Sequence, residues 1–259
     1  MEKKTIAPEM HPAAPPLEEP FSLAAVDGKK IYGLLNRSRT PSKKVIVLAH
    51  GFTGHPREYL HVIARNFFAA KGYDVVRFSF YSQESDARKL VECTIQTHAD
   101  DLAFICDHFR PLYDKLYVAG HSYGGKAMIH ANTQAAALGF WDSSFLTYET
   151  FWKANATKLE GTPYYTAGWG CDNLINPAMI EMDKNTSESD LIALAQKITT
   201  PSLVITAENE GEPTTRTILY DALICPKSYV EIKGADHCFT NGDTVYDMLE
   251  RTLEWFNQH

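Results

Sequence analysis

The chain lacks any stretch approaching the roughly 18 consecutive apolar residues that a membrane-spanning helix requires, so a bilayer is not expected as its solvent. Its first residues, MEKKTIAPEMHPAAPPLEEP, include two lysines but no apolar run behind them, which argues against a secretory leader. Five prolines in those twenty positions oppose regular structure and predict an extended or disordered arm over 1–20. Positive charge is in deficit: 25 Lys and Arg stand against 32 Asp and Glu, a net charge of −7. That balance argues against nucleic acid or an anionic membrane as the main partner. Cysteine is sparse and scattered. Cys93, Cys106, Cys171, Cys225 and Cys238 are odd in number and contain no C-x-x-C, which argues against a disulfide framework or a zinc site. Reduced thiols in a cytoplasmic protein are the expectation.

What is present is a large apolar fraction, 44% of 259 residues, enough for one sizeable core. Two apolar runs flank Asp27-Gly28, a strong hairpin signal. VIVLA at 45–49 is a continuous apolar run of the kind buried on both faces of a parallel sheet. Leu60, Ile63, Ala64, Phe67 and Phe68 then recur at helical spacing, with Gly72 as a stop. YDVVRFSF, KLYVAGHS, AAALGFW, PSLVITA and KSYVEIKGADH read as further strands, with helical patterns between most of them and an amphipathic helix at the end. Strands alternating with helices predict an α/β class fold with a mostly parallel sheet covered on both faces. From 143 to 195 the rhythm breaks into an aromatic, irregular stretch, read as a cap inserted into a core formed by 21–142 and 196–259.

Gly120-His121-Ser122-Tyr123-Gly124 lies between a predicted buried strand and a predicted helix. A G-x-S-x-G pattern alone is weak, but this context is the one a nucleophile elbow needs. Glycines relieve the crowding of a sharp strand-to-helix turn, and the helix N-terminus offers unpaired N–H groups to a developing oxyanion. Ser122 is therefore the candidate nucleophile. The Tyr123 N–H is half of a candidate oxyanion hole, and the Phe52 N–H, just after His50-Gly51, is the other half. A serine needs a base within reach, and His237, late in the chain after a predicted strand, is the best candidate among ten histidines.

The motifs HGFTG, GHSYGG and GADHCF, in this order and strand context, resemble the α/β-hydrolases. The stretch RFSFYSQESDARKLVECTIQTHADDLAFI is similar to the corresponding segment of the cinnamoyl/feruloyl esterase-like and serine aminopeptidase-like branch. The resemblance implies an α/β-hydrolase fold, a triad in the chain order Ser, acid, His, and no metal or organic cofactor. It places the acid in the loop after PSLVITA, where Ala207-Glu208-Asn209-Glu210 stands and Glu210 falls on the acid position. Glu208 and Glu212 compete locally, and Asp142 is the alternative after an earlier strand, AAALGFW. Asp236 adjoins His237 in sequence and is read as loop-shaping, because its side chain cannot easily reach around to Nδ1.

Among the cap aromatics, Trp169 and Tyr165 are the candidates to line an acyl or aryl pocket, the alternative being that these rings close the cap's own core. The expected activity is hydrolysis of carboxylic esters of small apolar or aromatic acyl groups through an acyl-enzyme. A thioesterase or an aminopeptidase would use the same machinery. A non-catalytic small-molecule-binding protein of the same fold is the alternative from a different class, since a fold does not fix a function.

Overall fold

The computed structural model describes residues 17–168, 172–209 and 217–259. Within them the chain forms strands β1 (Glu18–Ala24), β2 (Lys30–Asn36) and β3 (Lys44–Ala49), helix α1 (Tyr59–Ala70), β4 (Asp74–Phe78) and α2 (Ile95–Phe109). Next come β5 (Lys115–His121), α3 (Tyr123–Ala131) and β6 (Leu138–Trp141). The described residues of these strands, with β10 (Ser202–Ala207) and β11 (Lys227–Ile232), make one sheet in the order β1-β2-β4-β3-β5-β6-β10-β11. From β4 to β11 all pairings are parallel, and β1 and β2 join as an antiparallel hairpin at one edge.

Burial explains the pattern. Val45–Ala49 and Leu116–Gly120 are sealed on both faces, so neither strand alternates in polarity. On one face α1 contributes Leu60, Ala64 and Phe68 at i, i+4 and i+8, beside Val245, Met248, Leu249 and Phe256 of the last helix, α7 (Thr244–Gln258). α1 ends where Gly72 adopts φ +86°, the left-handed conformation of a helix stop. On the other face pack α2, α3 and the short α6 (Ile218–Ala222). Strand β1 begins inside the segment expected to be an arm. Pro20 sits within it opposite Leu34, and it is tolerated because β1 is an edge strand.

Between β6 and β10 the insertion carries a small antiparallel sheet, β7 (Ala156–Lys158), β8 (Tyr165–Gly168) and β9 (Asp172–Ile175). Two helices follow, α4 (Pro177–Lys184) and α5 (Glu188–Ala195). The sequence reading of this region as irregular missed both. Each is eight residues long and buries only two or three side chains, so the apolar period is too short to register, although Asn176 and Ser187 cap their first turns. Trp152, Ile175, Met179, Ile180 and Leu191 are buried in the same cluster as Tyr123 and Ala127 of α3. The insertion thus shares the main core.

Candidate active site

Ser122 stands between β5 and α3 with φ +53° and ψ −120°, a backbone region that non-glycine residues rarely occupy and that costs on the order of 1–3 kcal/mol. The surroundings over-determine it. Ser122 N–H donates to Trp141 O at 3.1 Å, and Ser122 O accepts from Gly125 N at 3.0 Å and from Ser144 N at 2.9 Å. The flanking glycines are required by close approach. A Cβ on Gly124 would lie 2.3 Å from Ala49 O, and one on Gly120 would lie 2.5 Å from Met128 Sδ and 2.8 Å from the backbone carbon of Gly124. The N–H of Tyr123, in the first turn of α3, has no intrahelical acceptor.

Ser122 lines a cavity of about 550 Å³ together with Phe52, Tyr123, His237 and Asp142. Phe145, Leu146, Phe151, Val204 and Leu219 give it an apolar wall. His237 follows β11, and its Nδ1 meets Asp142 Oδ2 at 2.5 Å. Asp142 comes directly after β6 with φ +40° and is tied to β10 twice. Its N–H donates to Ile205 O at 2.7 Å, and its Oδ1 accepts from Ala207 N at 2.9 Å. The carboxylate is therefore aimed at the imidazole by a fixed backbone on one side and a backbone donor on the other.

Two histidines of the motifs frame the site in the neutral state. His121 Nε2 donates to the carbonyl oxygen of His237 at 2.7 Å and packs its ring 4.7 Å from that of His237. His50 Nδ1 donates to Gly51 O at 2.8 Å, and its Nε2 accepts from Phe80 N at 3.2 Å, which fixes one tautomer. Burial pulls the pKa of each down to about 4.

Of the residues singled out in the sequence, Ser122, Phe52, Tyr123 and His237 meet at this cavity. Glu210, Glu212 and Trp169 lie outside the described residues. The carboxylate found on His237 Nδ1 is that of Asp142, the alternative after the earlier strand. Glu208 is engaged elsewhere: its Oε1 pairs with Lys233 and its Oε2 accepts from Gly234 N. Asp236 is bonded to Thr240 through both backbone and hydroxyl, as a loop-shaping residue. Tyr165 lies on β8 beneath Lys184 Nζ, 5.9 Å from its ring, and is not among the described residues lining the cavity; Phe151 and Phe145 take that place.

The sequence reading missed a buried polar cluster that joins the insertion to α3, the helix that starts after Ser122. Lys126 Nζ, on α3, pairs with Asp183 Oδ2 at 2.8 Å and donates to Leu146 O at 2.9 Å. Trp152 Nε1 donates to the same Asp183 oxygen at 2.6 Å. The Trp152 ring in turn stands edge-on to Phe52, 5.1 Å between centroids. A lysine among the small and apolar residues of GGKAMI, on a helix with no solvent face there, was the available signal.

A sequence model described as the alpha/beta hydrolase family matches residues 46–244. A search of curated proteins finds no match. Among solved structures, Est1E from Butyrivibrio proteoclasticus, with ferulic acid bound, superposes with a TM-score of 0.75 at 18% identity, covering 92% of this chain and 99% of that one. The esterase domain of a Rhodothermus marinus protein gives 0.73 at 17% identity over 93% and 98%. A structure from work on the metagenome-derived lipolytic enzymes LipS and LipT gives 0.67 at 17% identity over 92% and 100%. At these identities the likeness speaks for the fold.

Proposed function

Because the chain belongs to the alpha/beta hydrolase family, we propose that it is a serine hydrolase of carboxylic esters, with Ser122 as nucleophile, His237 as base and Asp142 as the acid that orients the base. The observation that carries this reading is the 2.5 Å contact between His237 Nδ1 and Asp142 Oδ2 at the cavity that Ser122 lines. On this reading Asp142, not Glu210, is the triad acid.

The steps follow from the chemistry of the groups. Ser122 Oγ attacks the carbonyl carbon as its proton passes to His237 Nε2. The oxyanion of the tetrahedral intermediate accepts from the N–H groups of Phe52 and Tyr123. The carbon–oxygen bond to the alcohol breaks, and the alcohol departs with the proton from Nε2. Water then gives a proton to Nε2 and attacks the acyl-enzyme, and Ser122 recovers its proton as the acid leaves. Asp142 holds Nδ1–H throughout and offsets the imidazolium charge.

The volume, about 550 Å³, falls in the range of small-ligand sites and is walled by Phe145, Leu146, Phe151, Val204 and Leu219. That wall, with the ferulic acid of the Butyrivibrio relative, supports a small apolar or aromatic acyl group. Fluorophosphonate labelling followed by turnover of p-nitrophenyl esters from acetate to laurate, with a hydroxycinnamate ester beside them, tests the reading. Labelling of Ser122 with turnover is expected. Labelling without turnover would identify a binding protein, and turnover by Ser122→Ala would remove the mechanism.

A further inference from the structure

Glu58 lines the same cavity as Ser122 but has no part in the steps above. It stands immediately before α1, yet its side chain does not cap that helix. Instead it folds back over the loop that carries Phe52. Its Oε2 accepts from His55 N at 3.2 Å and lies so near Gly54 that a Cβ there would meet it at 2.9 Å. Oε1 is sealed from solvent and has no hydrogen-bond partner among the described residues. His61 Nδ1 lies 3.7 Å from Oε1, and burial holds that imidazole neutral. No lysine or arginine pairs with Glu58 among the described residues. The side chain is 31% exposed, but its Oε1 has thus been taken out of water uncompensated, an arrangement that costs stability and that partial burial expresses as a raised pKa. Oε2 keeps acceptor capacity beyond His55 N, on a residue that lines a cavity in which Phe52, Phe145 and Phe151 stand beside the hydroxyls of Thr53, Ser143 and Ser144.

We propose that Glu58 is a polar subsite that accepts a hydrogen bond from a substrate hydroxyl lying against the oxyanion loop, and that it rejects esters bearing a carboxylate there. This specificity rests on the ester-hydrolase reading. A hydroxyl supplies the donor that the carboxyl lacks, whereas a second carboxylate would place like charges together in a site of low dielectric. If Glu58 served only to pin the loop through His55, its replacement would slow all esters alike.

Two substrate series separate these. One comprises methyl 3-phenylpropanoate, its 4-hydroxyphenyl analogue and its 4-carboxyphenyl analogue. The other compares propyl butanoate with 2,3-dihydroxypropyl butanoate. In at least one series the hydroxylated ester should lead its parent by about tenfold in kcat/KM, the effect of roughly one hydrogen bond. Glu58→Leu should bring that ratio close to one, and Glu58→Gln, which keeps an acceptor oxygen, should retain part of it. Glu58→Gln should also raise the 4-carboxyphenyl ester about tenfold relative to its parent, a readout that stands if Glu58→Leu does not fold. Turnover with no hydroxyl preference in either series, or a preference that survives in Glu58→Leu, overturns the subsite alone. Absence of both turnover and fluorophosphonate labelling overturns the hydrolase reading and the subsite with it.

Discussion

Acid should unfold this protein through its histidines before its carboxylates are titrated. Burial depresses His50, His121 and His130 to about 4, and it holds His61 and His98 well below the usual value. In the unfolded chain each returns to about 6.5. A folded-state pKa below the unfolded one means that the unfolded state binds the proton first. The stability associated with the neutral imidazole is therefore complete above about pH 6.5 and is lost as pH falls towards 4. Each such group costs about 1.4 kcal/mol per pH unit in that window, or about 2 kcal/mol at pH 5. The three at about 4 together bring the loss to about 6 kcal/mol, against a typical total of roughly 5–15. His61 and His98 add in the same direction. Burial raises Glu58 and Asp101, whose proton uptake runs the other way and offsets part of the loss.

Urea titrations at pH 7, 6 and 5 should show a net loss of several kcal/mol, with a slope reporting uptake of more than one proton on unfolding. His98 isolates one contributor, since both its ring nitrogens lack hydrogen-bond partners among the described residues and its ring stacks 4.3 Å from Phe80. His98→Phe should flatten the slope by about one proton. A stability that is level between pH 7 and 5, or a slope unchanged in His98→Phe, would refute the reasoning.

Ser122→Ala should fold and lose ester turnover by several orders of magnitude, measured as kcat on a p-nitrophenyl ester. Asp142→Asn should cut kcat by roughly 10³–10⁴ through loss of the correct imidazole tautomer, while Glu210→Gln changes it little; the reverse ranking would move the acid to the later loop. Asp183→Asn leaves Lys126 buried without its counter-charge and should cost about 3–5 kcal/mol, read as a fall of roughly 10 °C or more in Tm. Gly124→Ala drives a methyl into Ala49 O and should abolish soluble expression or labelling, whereas Gly28→Ala, with open space around it, should lose much less.

The strands that position the site were legible because β3 and β5 are buried on both faces and read as unbroken apolar runs. Ser122 was legible because backbone crowding forces glycine at 120 and 124, and His237 because it follows a strand late in the chain, where the resemblance to the α/β-hydrolases implies the base. Asp142 was harder. After β6 it is a single acidic residue at a strand end, indistinguishable in sequence from a turn former. Its role depends on β10 lying alongside to offer Ile205 O and Ala207 N, a contact spanning more than sixty residues. The Glu58 carboxyl and Asp183 were hidden for a similar reason: a charged side chain at a helix start, or on a helix as polar as PAMIEMDK, reads as solvated until the tertiary fold encloses it.

The position of Asp142 divides the proposed machinery unevenly along the chain. Nucleophile and acid leave the ends of neighbouring strands, β5 and β6, only twenty residues apart, so the first 142 residues carry both, and the base alone arrives from the far end. A protein cut within the insertion would separate into a half that carries serine and aspartate and a half that delivers the imidazole together with β10, whose Ile205 O and Ala207 N fix the aspartate. Such a pair is the natural starting point for a split reporter, silent until its fragments meet.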